Sequence, residues 1–212
     1  MTHPDYIREK AIQLRTEKKL TIDEIAECLA LSRTTVFYWV DGLSIPRTKR
    51  QSAARQRASD ANRDRAKAKR DRSYAEGLAR FPQLIQEPTF RDFVCMYIGE
   101  GSKRNRNTVA ICNSDPAVMA LAHGWILRLA TNKVRYAIQF HADQSIEELR
   151  SFWGSHLGLD PAVIKFQRKS NSGQLKGRTW RSKHGVLTIS TGDTSFRSQL
   201  GAWIDLVKAD WG

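Results

Sequence analysis

Residues Thr89–Lys103 read TFRDFVCMYIGEGSK, and this stretch decides how the second half of the chain folds. Thr89 follows a proline and is a candidate N-cap, and the spacing of the apolar side chains predicts a helix with one buried face, made by Phe90, Phe93, Val94, Met96, Tyr97 and Ile98. We expect the helix to stop at Gly99-Glu100-Gly101, because glycine weakens a helix end. Glu100 is then either an incidental exposed residue or a functional one, since the helix dipole disfavours a carboxylate there.

The nine residues from Phe93 to Gly101 resemble the LAGLIDADG signature, with Glu100-Gly101 aligned on its final acid–glycine pair. The residues Ile111-Cys112-Asn113-Ser114-Asp115 resemble the following strand and helix start of single-motif members of that family. The chain departs from the signature at Phe93, Val94, Cys95 and Ile98, and Ile98 replaces an acid. The resemblance covers about residues 88–210. It implies a saddle-shaped sheet that lies in the DNA major groove, and in the nucleases the position of Glu100 holds the metal.

The chain of 212 residues carries a formal net charge of +13, which indicates a polyanionic partner, most simply nucleic acid. A basic ribosomal or membrane-surface protein has a similar charge, so the charge alone does not decide. No apolar run approaches the roughly 18 residues of a membrane span, and no signal-like segment precedes Pro4, so we expect a cytoplasmic protein without a membrane partner. Cys28, Cys95 and Cys112 lie in apolar patterns and are expected to be buried thiols.

The N-terminal residues predict a helix-turn-helix that resembles the resolvase-type modules of bacterial and phage proteins. Thr21 and Glu24 make a capping box, and after a short turn Ser32 is a second N-cap. On the second helix Val36 and Val40 are expected to face inward. The candidate base-reading residues face outward and are Arg33, Thr34, Thr35 and Tyr38. The alternative is a small structural bundle whose exposed residues have no function.

The stretch from Arg47 to Arg72 contains eleven Lys or Arg and three Asp, a net charge of +8, with alanine as its frequent apolar residue. It is predicted either as a disordered linker or as a basic helix that contacts phosphates and orders on DNA. The DNA-binding candidates here are Arg47, Lys49, Arg50, Arg55 and Arg57. Both interpretations predict that the stretch separates two domains.

From Phe81 onward, helical and strand patterns alternate and predict about four strands with helices over one face. The chain is therefore predicted to be α+β, with a helix-turn-helix bundle at residues 1–46, a basic helical linker at 47–80, and a LAGLIDADG-like, mostly antiparallel sheet domain at 81–212. Two basic clusters in the last domain are further DNA-binding candidates, namely Lys103, Arg104, Arg106, Arg168, Lys169, Lys176, Arg178 and Arg181.

Two functions compete. In the favoured one, the chain is a sequence-specific double-stranded DNA-binding protein, a transcriptional regulator without a cofactor, as in a family of sporulation regulators that keeps this fold. In the alternative, it is a Mg²⁺-dependent homing endonuclease in which Glu100 holds the metal and Lys165 or Lys183 stabilises developing charge. Because the chain supplies one motif, the nuclease requires a homodimer, and a dimer is expected for the regulator too.

Overall fold

The computed structural model describes residues 3–43, 49–169 and 182–212. Contacts divide the chain into two compact units, Met1–Arg65 and Ala66–Gly212. The described helices and strands are α1 (Asp5–Thr16), α2 (Ile22–Cys28), α3 (Arg33–Val40), α4 (Lys49–Leu84), α5 (Phe90–Glu100), β1 (Val109–Asn113), α6 (Pro116–Leu129), β2 (Val134–Phe140), α7 (Ile146–Leu157), a 3₁₀ turn (Pro161–Val163), β3 (Ile164–Arg168), β4 (Val186–Thr191) and α8 (Thr194–Ala209). The predicted α+β class is confirmed.

In the N-terminal unit, both predicted caps form. The Thr21 side chain accepts from the Glu24 N–H while the Glu24 carboxylate accepts from the Thr21 N–H, and the Ser32 hydroxyl accepts from the Thr35 N–H. Between the helices, Ala30 takes the left-handed conformation with φ 52°, and the Leu31 N–H donates to the Ala26 carbonyl over 2.9 Å. This is a Schellman turn, and it reverses the chain within three residues.

The core of the same unit is small. Its buried members are Ala11, Ile25, Ala26, Val36 and Val40, with Leu14, Leu20, Leu29 and Trp39 packed at the edge. Val36 and Val40 therefore face inward as predicted, so the opposite side of α3 faces solvent.

From Lys49 onward the basic stretch is helical and forms the first part of α4, which continues to Leu84. The C-terminal part of α4 is packed within the second unit, where Ser73, Gly77 and Leu84 are buried. The indole N–H of Trp203 on α8 donates to the Gly77 carbonyl over 2.9 Å. Ser73 and Gly77, which the sequence assigned to the linker at 47–80, are thus buried within the C-terminal unit.

Helix α5 differs from its prediction at its N-terminus and agrees with it at its C-terminus. Thr89 occupies the N-cap position, but its φ is 63° and its side chain makes no cap hydrogen bond. Its hydroxyl accepts from the Trp125 indole N–H over 3.1 Å instead, so a tertiary contact replaced the cap. At the other end, the helix stops at Glu100 with Gly101 as its C-cap, within Gly99-Glu100-Gly101 as predicted.

The four strands form one sheet in the order β1-β4-β2-β3. Strand β4 is antiparallel to both β1 and β2, and β3 is parallel to β2, so the sheet is mostly antiparallel with one parallel edge. Inward-facing strand residues such as Ile111, Ile138 and Ile189 belong to the same core as Phe90, Trp153 and Trp203 of the helices. The helices therefore cover one face of the sheet, as predicted.

The cysteine prediction was wrong for two residues: Cys28 and Cys112 are exposed and Cys95 is half-buried. Cys112 is exposed because it occupies an outward position in the alternation of β1. In the ranges that the structure describes, no helix has the length and apolar character needed to cross a membrane.

Candidate nucleic-acid interface

The second face of the sheet is not covered by the helical layer. Alternation places one set of side chains there, and the set comprises Ala110, Cys112, Arg135, Ala137, Gln139, Lys165, Gln167, Val186, Thr188 and Ser190. The register aligns them into rows: Cys112, Thr188, Ala137 and Lys165 pair across all four strands. Most of these side chains are polar or small, so this open face presents hydrogen-bonding groups on a pleated surface.

Every charged residue in the four described strands is basic. The four described strands contain Arg135, Lys165 and Arg168 but no Asp or Glu. Of these three, Arg135 and Lys165 lie in outward positions on different strands, and both are exposed. Arg168 ends β3 and is also exposed. An acid-free face with spaced cations attracts a polyanion and repels none of its phosphates.

Sequence reasoning identified Lys165 on this face but missed Arg135, Gln139, Gln167, Thr188 and Ser190. The period-2 pattern of Val134–Phe140 carried a usable signal for two of them, because Arg135 and Gln139 both alternate with the buried Tyr136 and Ile138. Strand β4 carried the same signal, because Thr188 and Ser190 alternate with the buried Leu187 and Ile189.

The second basic cluster is only partly described. Lys169 is exposed just after β3, and its N–H donates to the Phe140 carbonyl over 3.0 Å. Lys183 is exposed beside β4, and its carbonyl accepts from the Gln144 amide over 3.0 Å. The remaining candidates of this cluster lie outside the described residues, and they are Lys176, Arg178 and Arg181.

Beside that cluster, the ring of His184 stacks on Phe152 with 3.5 Å between the ring centroids and 4° between the planes. Its burial and the nearby Lys183 charge lower the pKa of His184, which favours the neutral form of the ring. The His184 carbonyl accepts from the indole N–H of the buried Trp153 over 2.7 Å. These contacts anchor the start of β4, so the adjoining Lys183 projects from a fixed backbone.

Glu100 lies exposed in the last turn of α5, next to an exposed Gly99. The Lys103 ammonium donates to the Gly99 carbonyl over 3.3 Å, and Arg104 and Arg106 follow it, exposed, in the loop before β1. Among the described residues no group of three or more acids, histidines or cysteines is placed to hold a metal ion. Mg²⁺ binds through one or two carboxylates together with waters and substrate phosphates, and in one chain Glu100 would supply one such carboxylate.

The two glycines of the motif are not equivalent. A Cβ on Gly101 would meet the ring and the carbonyl of Tyr97 at 2.5 Å, so glycine is required there by packing inside one chain. A Cβ on Gly99 would meet nothing within 4 Å. The surface around Gly99 therefore has room for another chain. The glycine at position 101 is explained instead by packing within the chain.

On the N-terminal unit, α3 exposes Arg33, Thr34, Phe37 and Tyr38, and the Tyr38 side chain is 72% exposed. The Arg33 guanidinium pairs with the Asp23 carboxylate on α2 over 2.8 Å, with both side chains well exposed. The hydroxyl of Thr35 lies 2.8 Å from that of Ser32, so Thr35 serves the cap and is less available than predicted. Phe37 was assigned no role from the sequence, yet it is exposed beside Tyr38.

The first half of α4 displays the remaining candidates. Lys49, Arg50, Arg55 and Arg57 are all exposed on this helix, whereas Arg47 lies outside the described residues. Of the basic residues between Lys49 and Arg65, Arg63 forms a described ion pair, with Asp60 over 2.8 Å. Most of the positive charge on this half of α4 is thus available to an external anion.

Comparison of the chain with protein-family models, with curated proteins and with solved structures gave no match in any of the three.

Proposed function

We propose that this protein is a sequence-specific double-stranded DNA-binding protein, a transcriptional regulator that uses a helix-turn-helix and a LAGLIDADG-like sheet as two DNA-binding elements. The observation that carries the proposal is the open face of the sheet, which holds Arg135 and Lys165 and, within the four described strands, no acid. The helix-turn-helix, with its exposed α3, provides independent support.

The residue types on the open face match the chemistry of base edges. Arginine and lysine donate to guanine O6 and N7, glutamine pairs with adenine N6 and N7, and serine or threonine suits either. The face supplies one or more of each, in Arg135, Lys165, Gln139, Gln167 and Thr188. Since strands lie about 4.8 Å apart, these side chains form a grid that samples neighbouring base pairs.

The exposed side of α3 supports the same conclusion for the first unit. A recognition helix needs a buried stripe that fixes its angle and an outer surface that reaches bases. Val36 and Val40 make the stripe, and Arg33, Thr34 and Tyr38 make the outer surface. The ion pair between Arg33 and Asp23 is well exposed, and such pairs contribute only about 0–1 kcal/mol, so DNA can replace it.

The proposed assembly is a homodimer that pairs the outer surface of α5. The open space at Gly99 supports it, together with the half-buried Cys95, Met96 and Ile98 on α5. Glycine at a helix crossing lets two backbones approach closely. A two-fold dimer would present two copies of α3 to a palindromic site.

A homing endonuclease remains the second candidate, because Glu100 is exposed at the end of α5, where a dimer would bring two copies of it together. Because the chain supplies one LAGLIDADG-like motif, this candidate depends on a dimer for its second acid. Incubation of supercoiled plasmid with Mg²⁺ or Mn²⁺ distinguishes the two functions: a regulator leaves the plasmid intact, and a nuclease cuts it unless Glu100 is replaced by alanine.

Fluorescence anisotropy with a labelled duplex tests the proposed function. The double variant Arg135→Ala, Lys165→Ala removes both outward cations of the open face. The control Lys10→Ala, Lys208→Ala removes two exposed charges from α1 and α8 and thus changes the net charge equally. We expect the open-face variant to bind more weakly and to lower the log–log salt slope by about 0.9 per lost phosphate contact. Equal behaviour of the two variants would remove the sheet from the proposal.

A further inference from the structure

A solvent-open cavity of about 200 Å³ lies within the C-terminal unit, where the second half of α4, the loop before β1 and α8 converge. Its principal lining residues are Arg70, Tyr74, Arg106, Arg197, Ser198 and Gly201. The three arginines come from three separate segments of the chain, so the fold, and not a local run of sequence, concentrates them there.

The charges around this cavity are unbalanced. Three guanidinium groups line it against one carboxylate, that of Asp71. Among the described residues, no carboxylate lies within 4 Å of a nitrogen of Arg70, Arg106 or Arg197. Arginine stays protonated at any physiological pH, so the three guanidinium charges repel one another. An anion between them offsets that repulsion.

The lack of a partner for these guanidinium groups is seen most directly at Arg197. Its Nε is buried and has no hydrogen-bond partner in the described part of the chain. A buried donor that is left unsatisfied costs free energy, and it is rare in folded proteins. Burial raises the pKa of the Tyr97 hydroxyl, and a hydrogen bond from the Ala110 N–H and the charge of Arg197 oppose that rise.

The two hydroxyl groups that line the cavity already donate hydrogen bonds to other groups of the protein. The Tyr74 hydroxyl donates to the Asp205 carboxylate over 2.9 Å, and the Ser198 hydroxyl donates to the Thr194 carbonyl over 2.9 Å. The available donors are therefore guanidinium N–H groups. Their planar fork suits the oxygens of a phosphate, which can accept two parallel hydrogen bonds from one arginine.

We infer that Arg70, Arg106 and Arg197 form a binding site for a single phosphate group, carried on a DNA backbone or free in solution. The cavity is smaller than the roughly 300–1,000 Å³ of sites for drug-sized ligands, so it accommodates one anionic group and not a whole cofactor. The DNA source rests on the proposed function, whereas the binding of free phosphate does not.

Gly201 allows the site to be blocked without removal of an arginine. A Cβ built on this helical glycine would lie 3.8 Å from Nη1 of Arg197 and 4.0 Å from the Tyr74 ring, which is ordinary contact. Gly201→Glu therefore fits sterically, brings a carboxylate to the cavity and improves the helix propensity of α8. Arg197→Gln is the second variant, and Arg72→Gln is the matched control, since Arg72 is an exposed α4 residue outside the lining.

The test is thermal unfolding of the full chain during titration with sodium phosphate, with sodium chloride at equal ionic strength as the reference. We expect wild type and Arg72→Gln to show a saturable rise in Tm, on the order of 2–5 °C at ten times the Kd. Gly201→Glu and Arg197→Gln should lose the phosphate-specific rise. No rise above the chloride reference, or an equal rise in all four proteins, would overturn the inference.

A second measurement, of duplex binding, identifies the source of the phosphate. If the cavity takes a backbone phosphate, Gly201→Glu also lowers the salt slope of duplex binding by about 0.9 or more relative to Arg72→Gln. An unchanged slope with a lost phosphate response means that the site serves free phosphate. A chain that binds phosphate but no DNA contradicts the proposed function and leaves the phosphate site standing.

Discussion

Gly77 gives a sharp test of how α4 is held in the C-terminal unit. A Cβ at this position would lie 2.8 Å from the Cα and 2.9 Å from the carbonyl oxygen of Gln199, both backbone atoms that cannot swing away. The Gly77 carbonyl also accepts the indole hydrogen bond of the fully buried Trp203. Gly77→Ala must therefore separate the two helices or strain α8.

The magnitude follows from three opposed effects. Overpacking costs about 1–3 kcal/mol, and a lengthened indole hydrogen bond about 1 kcal/mol more. The better helix propensity of alanine returns about 1 kcal/mol. We expect a net loss of about 1–3 kcal/mol, which for a unit of this size lowers Tm by roughly 3–10 °C.

Gly124 on α6 is the matched control, because it is an exposed helical glycine whose Cβ would meet nothing within 4 Å. Gly124→Ala should therefore raise stability by up to about 1 kcal/mol. Tryptophan fluorescence during urea unfolding reports mainly on the C-terminal unit, since five of the six tryptophans follow residue 66. A Gly77→Ala protein as stable as wild type, or shifted like Gly124→Ala, would refute the close packing of α4 on α8.

Three further outcomes are expected. Arg33→Ala should cost about 1–3 kcal/mol on a specific duplex and little on random DNA in anisotropy titrations, and equal losses would make Arg33 a phosphate contact. Gly99→Leu should lower self-association in light scattering with no loss of monomer stability, because the position is open, and an unchanged mass would count against the α5 dimer. Burial would raise the pKa of the Asp193 carboxyl, but hydrogen bonds from Phe196 and Thr131 outweigh it and hold the pKa below its usual range. Its stabilisation is therefore present above about pH 3.9 and lost as the pH falls further. Asp193→Asn should flatten that acid-side loss while lowering Tm at pH 7, and parallel pH profiles of the two proteins would contradict the assignment.

The sequence predicts well those features that short-range interactions determine. The caps at Thr21 and Ser32 form because each joins a side chain to a backbone N–H three residues away. The alternation of buried and exposed residues along β2 likewise requires only that one face of the strand is covered. Such features depend on residues that are neighbours in the chain, so their pattern is visible without the fold.

Contacts between residues that are far apart in the chain account for the features that the sequence did not predict. Thr89 failed as a cap because Trp125, 36 residues away, uses its hydroxyl. The burial of Gly77 depends on Trp203, 126 residues away. The convergence of Arg70, Arg106 and Arg197 on one cavity has no sequence signal at all, since each arginine alone looks like an ordinary surface charge.

The resemblance to the LAGLIDADG signature predicted a helix followed by a strand, and the structure has α5 followed by β1. The position of β1 at the edge of the sheet was not predicted. The resemblance did not predict which glycine serves which purpose. Packing against Tyr97 accounts for Gly101, and a Cβ on Gly99 would meet nothing within 4 Å.

The central claim is sequence-specific recognition of double-stranded DNA, and selection of duplexes from a random library by the full chain tests it most directly. The account predicts enrichment of one motif, arranged as two inverted half-sites, with competing non-specific DNA in excess. It also predicts that Arg33→Ala relaxes the preference while the acid-free sheet face retains non-specific affinity. Salt-dependent binding with no enriched motif after several rounds would contradict the claim and leave only a basic protein that binds polyanions.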